Sequence, residues 1–478
     1  MATKLVSVSI IGKTNMGYKK KLDKRLFGWM MFDWATQPYA TLLLTFIFAP
    51  YFSEIVINKK ISDGVTDYIA KAEAQSLWGL GLTISGVIVA CLAPILGTMA
   101  DSSGGHRRYI SFFSLFYIFG ASGLWLAVPE TFNIVLVLGF FIIGLVGMEL
   151  TTIFTNSFLP TLGEPQEIGR ISGKGWAIGY VGGLVALALA LLFFAENNQG
   201  LTVLGKTPAF YLNGELREGT RAIGPLSSIW FVIFMIPFFI FVRADNNNNK
   251  TEISIHKALK KIIDTFRKQK ANRNLFTFLL SSMFYRDALN AIYSFGGLYA
   301  YGVLGWTVTE IGLFGILALV FGALFSWLGG IADSRFGPNV VIKVAILCLI
   351  IATLSIVMIT PETVYGINFS KTNFYGSLTV SDSSFYFCGA LIGGAGGVLQ
   401  SASRTMVVIY SESSKVTEAF GLYAFCGKAT AFLAPLLISI VTYISHSQRV
   451  GVLPIIFLFI VGLLLLTFLK KEGQDFSL

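Results

Sequence analysis

The residues best able to do chemistry are ionisable groups set inside long apolar stretches: Asp33, Glu149, Lys174, Arg286, Asp287, Arg404 and Lys428. In the middle of a hydrocarbon-embedded helix a charged Asp, Lys or Arg costs ~2.5–3.5 kcal/mol. Pairing, water or function must offset a cost of that size. Helical spacing joins these groups to polar neighbours. Asp33 and Gln37 stand at i, i+4, and Glu149, Thr152 and Asn156 at i, i+3, i+7. Arg286, Asn290 and Tyr293 follow i, i+4, i+7, and Gln400 and Arg404 are again i, i+4. Tyr39 lies about 120° around the helix from Asp33, off its face.

Converging in one cavity, these faces would suit a solute with an amine and a carboxylate. The amine would turn toward Glu149 or Asp33 and the carboxylate toward Arg404, with Asp287, Arg286 and Asn290 on the far wall. Asp33 has no basic residue at i±3 or i±4, so it is the expected coupling group. Glu149 opposite Arg404 is the expected substrate pair. The plainer reading is structural ion pairing, or snorkelling for Lys174 and Lys428 near helix ends.

The elements that must carry these residues are membrane helices. The 478-residue chain is 54% hydrophobic and only 13% charged, against ~25% charged in soluble domains. A span needs ~20 consecutive apolar residues. Blocks of that kind fall at 27–52, 76–100, 109–128, 132–158, 171–195 and 224–243, then at 275–304, 308–332, 339–360, 384–409, 418–445 and 451–469. Backbone satisfaction in hydrocarbon demands helices or a closed barrel, and no segment has the alternation of a barrel.

The net charge of +10 is a topology signal, with no nucleic-acid partner expected. Lys19, Lys20, Lys21, Lys24, Arg25, Arg107, Arg108, Lys470, Lys471 and the basic residues of 244–274 fall on one side of a twelve-span chain. The positive-inside rule then puts both termini in the cytoplasm, and the inner membrane of a bacterium is the expected location. Within 244–274, Ile255, Leu259, Ile262, Ile263 and Phe266 form a helical stripe flanked by lysines, an amphipathic helix for an anionic lipid surface. The domains read as a tail over 1–26, a six-helix bundle over 27–243, a linker over 244–274, a second bundle over 275–469 and a tail over 470–478. Cys91, Cys348, Cys388 and Cys426 are read as small buried hydrophobes. No metal site is expected from the three histidines.

The halves repeat weakly. Asp33 with Tyr39 and Asp287 with Tyr293 share one spacing, and Gly173-Lys174 and Gly427-Lys428 share the same offset between halves. G-x-x-A-D-S occurs at Gly97–Ser102 and again at Gly329–Ser334. With Gly97, Asp101, Gly104, Arg107 and Arg108, the first copy resembles the signature of the major facilitator superfamily; the second, at Gly329 and Asp333, is degenerate. These loops are expected to gate by latching helix ends. Gly175, Gly179, Gly183 and Gly389, Gly393, Gly397 form ladders read first as packing seams.

A narrower resemblance rests on Phe32-Asp33-Trp34-Ala35, Asn156-Ser157-Phe158-Leu159-Pro160, Gly169–Tyr180, Gln400–Arg404, Phe420–Tyr423 and Gly427-Lys428-Ala429. These are similar to the vacuole-effluxer, autophagy-related branch of that superfamily. The chain departs from it at Thr36-Gln37-Pro38, where Pro38 should kink the first helix. The resemblance implies an all-α membrane fold of about twelve helices in two pseudo-symmetric bundles, with helices one, four, seven and ten lining the cavity. It implies a secondary transporter working by alternating access, with amino acids as the substrate class of the eukaryotic members. The expected partners are a small solute, protons or Na+, and membrane lipids, in a monomer without cofactor. A membrane-embedded enzyme or lipid-handling protein is the alternative, but it has no need of paired gates, and catalytic motifs are absent.

Overall fold

A computed structural model describes residues 24–103, 105–163, 168–197, 199–242, 273–369, 373–375, 378–410, 422–423, 426–427 and 429–469. The apolar blocks fold as α1 (Lys24–Ser62), α2 (Asp67–Ser103), α3 (His106–Gly123), α4 (Ile134–Asn156), α5 (Ile168–Phe193) and α6 (Glu218–Phe241). The second half gives α7 (Arg273–Tyr299), α8 (Val308–Phe336), α9 (Pro338–Met358), α10 (Val380–Tyr410), α11 (Leu433–Ser445) and α12 (Leu453–Thr467). Among the described residues ten helices are long and apolar enough to cross a membrane. α7 has the length but is diluted by Arg273, Arg286, Asp287 and Asn290, and α11 is a shorter apolar helix. The amphipathic stripe of 255–266 and both tails lie outside the described residues.

Large apolar side chains point outward along whole helix faces. Phe112, Leu115 and Phe119 do so on α3, and Val340, Val344, Leu347 and Ile351 on α9. In water such stripes would be interaction surfaces; on a bundle of this hydropathy they are the faces turned to lipid. Cys388 and Cys426 are buried as expected, but Cys91 is exposed. A lipid-facing position accepts a small apolar side chain as readily as a buried one.

The expected loop over 53–75 is instead almost wholly helical. α1 runs to Ser62 and α2 starts at Asp67. This extension buries Ile55, Val56 and Ile57. It is tied by Lys60–Glu73 at 2.7 Å and by Lys71–Asp67, an i, i+4 pair at 2.9 Å. Mixed charge, which reads as loop, here pairs two helix stems. The connection between α9 and α10 holds two small antiparallel hairpins, Thr363–Val364 with Ile367–Asn368 and Asn373–Tyr375 with Leu378–Thr379.

Pro38 acts on α1 by widening it. The backbone stays helical at Pro38, and a π-helical turn follows over Tyr39–Phe46. Such turns absorb a proline's missing donor and cluster at functional sites. α7 likewise ends in a π-helical turn, Ala300–Leu304. The glycine ladders are packing seams. Gly175, Gly179 and Gly183 of α5 leave room for Trp29, Asp33, Gln37 and Thr41 of α1, and Gly389, Gly393 and Gly397 of α10 do the same for Phe314, Ala318 and Ser326 of α8.

The two halves meet at the face away from the chain termini. There Gln75 Nε2 donates to Thr442 Oγ1 at 2.7 Å and to the Gln448 carbonyl at 3.3 Å. Gln448 Nε2 donates to the Lys71 carbonyl, and Ser439 Oγ to the Ser76 carbonyl. Trp78 Nε1 donates to the Ser294 carbonyl. Gly302 and Gly451 make this seal possible, because a Cβ on either would run into Gln448 or Thr442. On the opposite face, Arg25 donates to Thr161 and Arg107 to the Phe239 carbonyl, each within the first half. Thr405 donates to Asp333 within the second.

Candidate functional site

Between the halves, side chains from α1, α5, α7 and α10 gather with Tyr423, which precedes α11. On α1, Asp33 stands against Gly175 and Gly179 of α5. About one helical turn along α5, the Tyr180 hydroxyl is an electrostatic neighbour of Tyr293 of α7 and Gln400 of α10. One turn further along α10, the Arg404 guanidinium lies over the Trp176 ring, 5.3 Å from its centroid. Tyr423, Asp33, Arg286 and Tyr180 are its electrostatic neighbours. Arg286 stacks on Tyr423 at 4.1 Å and donates to the Tyr423 carbonyl at 2.8 Å. Gly427 leaves the space its guanidinium fills.

The structure therefore brings Asp33, Arg286, Gln400 and Arg404 together. Gln37 lies on the same α1 face and donates to Thr41. Asn290 is exposed on α7, with its carbonyl accepting from Ser294. Asn156 is exposed at the last residue of α4, away from mid-helix. Glu149 is half-buried on α4 but is not among the electrostatic neighbours of Arg404. Among the described residues, Asp33 is the carboxylate that acts on Arg404. Spacing along α1 could not show this, because the arginine comes from another helix.

Asp287 departs from the expected far wall. It is buried against α11, and Oδ2 accepts from the Ala434 amide at 3.1 Å, capping that helix, while Oδ1 has no hydrogen-bond partner. Asp33 on α5 and Asp287 on α11 are nevertheless equivalent placements, first helix against fifth in each half. Tyr39 faces away as its spacing implies, donating to the Phe141 carbonyl at 2.7 Å.

Of the expected gating residues, Asp333 accepts from Thr405 at 2.7 Å, and Gly329 packs on Val398 of α10. Both contacts lie within one half, so in this state Asp333 holds α8 to α10 rather than latching the halves. Gly97 faces open space, Arg108 is exposed, and Arg107 lies over Phe239. The Asp101 side chain, Gly104 and Lys428 lie outside the described residues.

Trp176, Tyr180 and Tyr423 belong to the cluster, although helices five and eleven were not expected to line it. Their signal was present in the strings around Gly175–Tyr180 and Phe420–Tyr423, read there as family markers. An aromatic inside an apolar span reads as packing until an arginine is seen against it.

Two helical halves around a polar centre, closed at one face, define a membrane transporter of the major facilitator type. The chain belongs to the family described as vacuole effluxer Atg22 like, whose model matches residues 21–474. It is 23% identical over 457 residues to the uncharacterised MFS-type transporter YxiO of Bacillus subtilis (strain 168), covering 95% of this chain and 96% of that one. Its fold is similar to that of the nucleoside transporter NupG (D323A mutant), with a TM-score of 0.58 at 13% identity, covering 92% of this chain and 100% of the other. It is also similar to a D-xylose-proton symporter, with a TM-score of 0.60 at 12% identity and coverages of 94% and 96%. At such identity these two structures speak to the fold alone.

Proposed function

We propose that this transporter moves a small zwitterion, an amino acid or a close relative, by alternating access and with coupling to protons or Na+. The observation that carries the reading is the opposition of Asp33 and Arg404 across the halves. An ammonium and a carboxylate on one solute complement that pair, and closure around the solute would draw the halves together. Tyr180, Tyr293 and Gln400 supply neutral donors and acceptors beside it. Coupling falls to Asp287 rather than to Asp33. Among the described residues no basic side chain pairs with Asp287, and its Oδ1 is left for a proton or cation.

The six-helix units span 27–243 and 275–469, with 244–274 between them and the tails over 1–26 and 470–478. Both termini face the cytoplasm of a bacterial inner membrane, which puts the seal formed by Gln75, Thr442 and Gln448 on the outer side. Gly97, Asp101, Arg107, Arg108, Gly329 and Asp333 form the gate that closes when the halves rock back.

Purified protein in liposomes tests this reading by counterflow of amino acids against sugars, nucleosides and organic anions. Amino acids are expected to exchange, with Arg404→Ala losing exchange and Asp33→Asn reducing it. Exchange of a sugar or nucleoside in their place would reject the zwitterion.

A further inference from the structure

The central cluster holds more positive charge than one zwitterion answers. Two guanidinium groups, Arg286 and Arg404, act on each other and both approach Tyr423. Among the described residues neither makes an ion pair with a carboxylate. Among the described residues Asp33 is the carboxylate that acts on Arg404, and it is held against the glycines of α5. Asp287, next in sequence to Arg286, is turned the other way, to the Ala434 amide. Among the described residues Arg286 donates to one acceptor, the Tyr423 carbonyl, and a guanidinium carries five N–H donors. Apolar helices do not retain two arginines in mutual repulsion without something to answer them.

We propose that the solute is an amino acid bearing a second anionic group, an acidic amino acid, with Arg286 as the residue that selects it. Two carboxylates match two guanidinium groups, and one ammonium matches Asp33. The inference rests on the zwitterion reading above and narrows it. Arg404 on Trp176 takes one carboxylate, and Arg286 on Tyr423 takes the other. The aromatic faces keep both planar guanidinium groups oriented for paired N–H donation. A neutral amino acid would leave Arg286 facing an uncharged side chain, which is selection by an unanswered charge.

The test uses the full chain, purified and reconstituted, with L-glutamate, L-glutamine and succinate as probes in calorimetric binding and in counterflow. Glutamate is expected to bind at least about tenfold more tightly than glutamine. Succinate, lacking the ammonium, is expected to bind more weakly than glutamate. Arg286→Gln should lower glutamate affinity and abolish the glutamate-over-glutamine preference, and Arg286→Lys should keep part of that preference. Glutamine bound as tightly as glutamate by the wild type, or a preference that survives in Arg286→Gln, overturns the proposal while leaving the zwitterion reading in place. Succinate equal to glutamate overturns it as well, because Asp33 then has no ammonium to meet. Failure of every amino acid to exchange rejects the broader reading instead. Should Arg286→Gln fail to accumulate, the wild-type glutamate-to-glutamine ratio decides alone.

Discussion

Arg404 of α10 rests on the indole of Trp176 in α5, so a cation of the second half is seated on an aromatic of the first. A solute that engages Arg404 therefore acts on both halves at once. A cation–π contact contributes ~0.5–2 kcal/mol. Trp176→Leu keeps an apolar side chain there and removes the contact. Solute affinity should fall by about two- to thirtyfold, read by calorimetry. An unchanged Kd would mean that the indole only fills space.

The seal at the face away from the termini hangs on buried hydrogen bonds. Thr442 and Gln75 are fully buried and bonded at 2.7 Å. Thr442→Val preserves shape but leaves Gln75 Nε2 with only the long bond to the Gln448 carbonyl. A buried donor so weakened costs ~1–3 kcal/mol, which shifts a two-state equilibrium by about five- to 150-fold. Double-label distance measurements between positions 68 of α2 and 443 of α11, both exposed, should show the open population rise. A distribution matching the wild type would count against these bonds as the seal.

Asp287 separates two roles by substitution. As a helix cap it needs only an acceptor for the Ala434 amide. Asn supplies one and Ala does not, so Asp287→Ala should cost ~0.5–2 kcal/mol and Asp287→Asn much less. As the coupling group it needs an ionisable carboxyl, which Asn lacks. Asp287→Asn is thus expected to remain stable and exchange solute while failing to accumulate it. Accumulation at the wild-type level by Asp287→Asn would move coupling elsewhere.

The architecture was legible in the sequence because hydropathy blocks, basic clusters and the repeated G-x-x-A-D-S are local patterns. So was the polar face of each helix. The pairing between faces was not. That Arg404 acts on Asp33 depends on how the halves assemble, and no spacing within one helix records it. Asp287 looked equivalent to Asp33 and is so in position. Its chemistry differs because α11 begins at Leu433, offering amides to cap, where α5 runs unbroken past its glycines. The stems of α1 and α2 were missed for a different reason: Lys60, Glu73, Lys71 and Asp67 suggest a polar loop until their pairing is seen.

Glu196, in the loop between α5 and α6, gives a pH dependence. Burial pushes its carboxyl up from 4.5 to about 7, against the opposing pull of Arg217. Arg217 Nε stands 3.6 Å from Glu196, too long for a hydrogen bond, and is held more closely by Glu54 at 3.0 Å. Between pH 4.5 and 7 the folded protein holds this proton and the unfolded chain releases it, so stability falls as pH rises through that window and levels above it. The loss is on the order of 1–3 kcal/mol. Thermal unfolding in detergent at pH 5 and pH 8 should show a smaller decline in Glu196→Gln than in the wild type. Equal declines would exclude Glu196 as their source.

The 37 residues of α2 amount to ~55 Å of continuous rod, against ~30 Å of hydrocarbon. Its first turns, Asp67 to Gln75, precede the apolar block and form a stem bound to α1 by Lys60–Glu73. Tilting the ~55 Å rod by about 10° about its middle displaces either end by ~5 Å, more than a hydrogen bond can stretch. Lys71, Gln75 and Ser76 all ride on it. Their bonds to the other half must release together, so the stem turns a small rotation at the solute into an abrupt opening at the far surface.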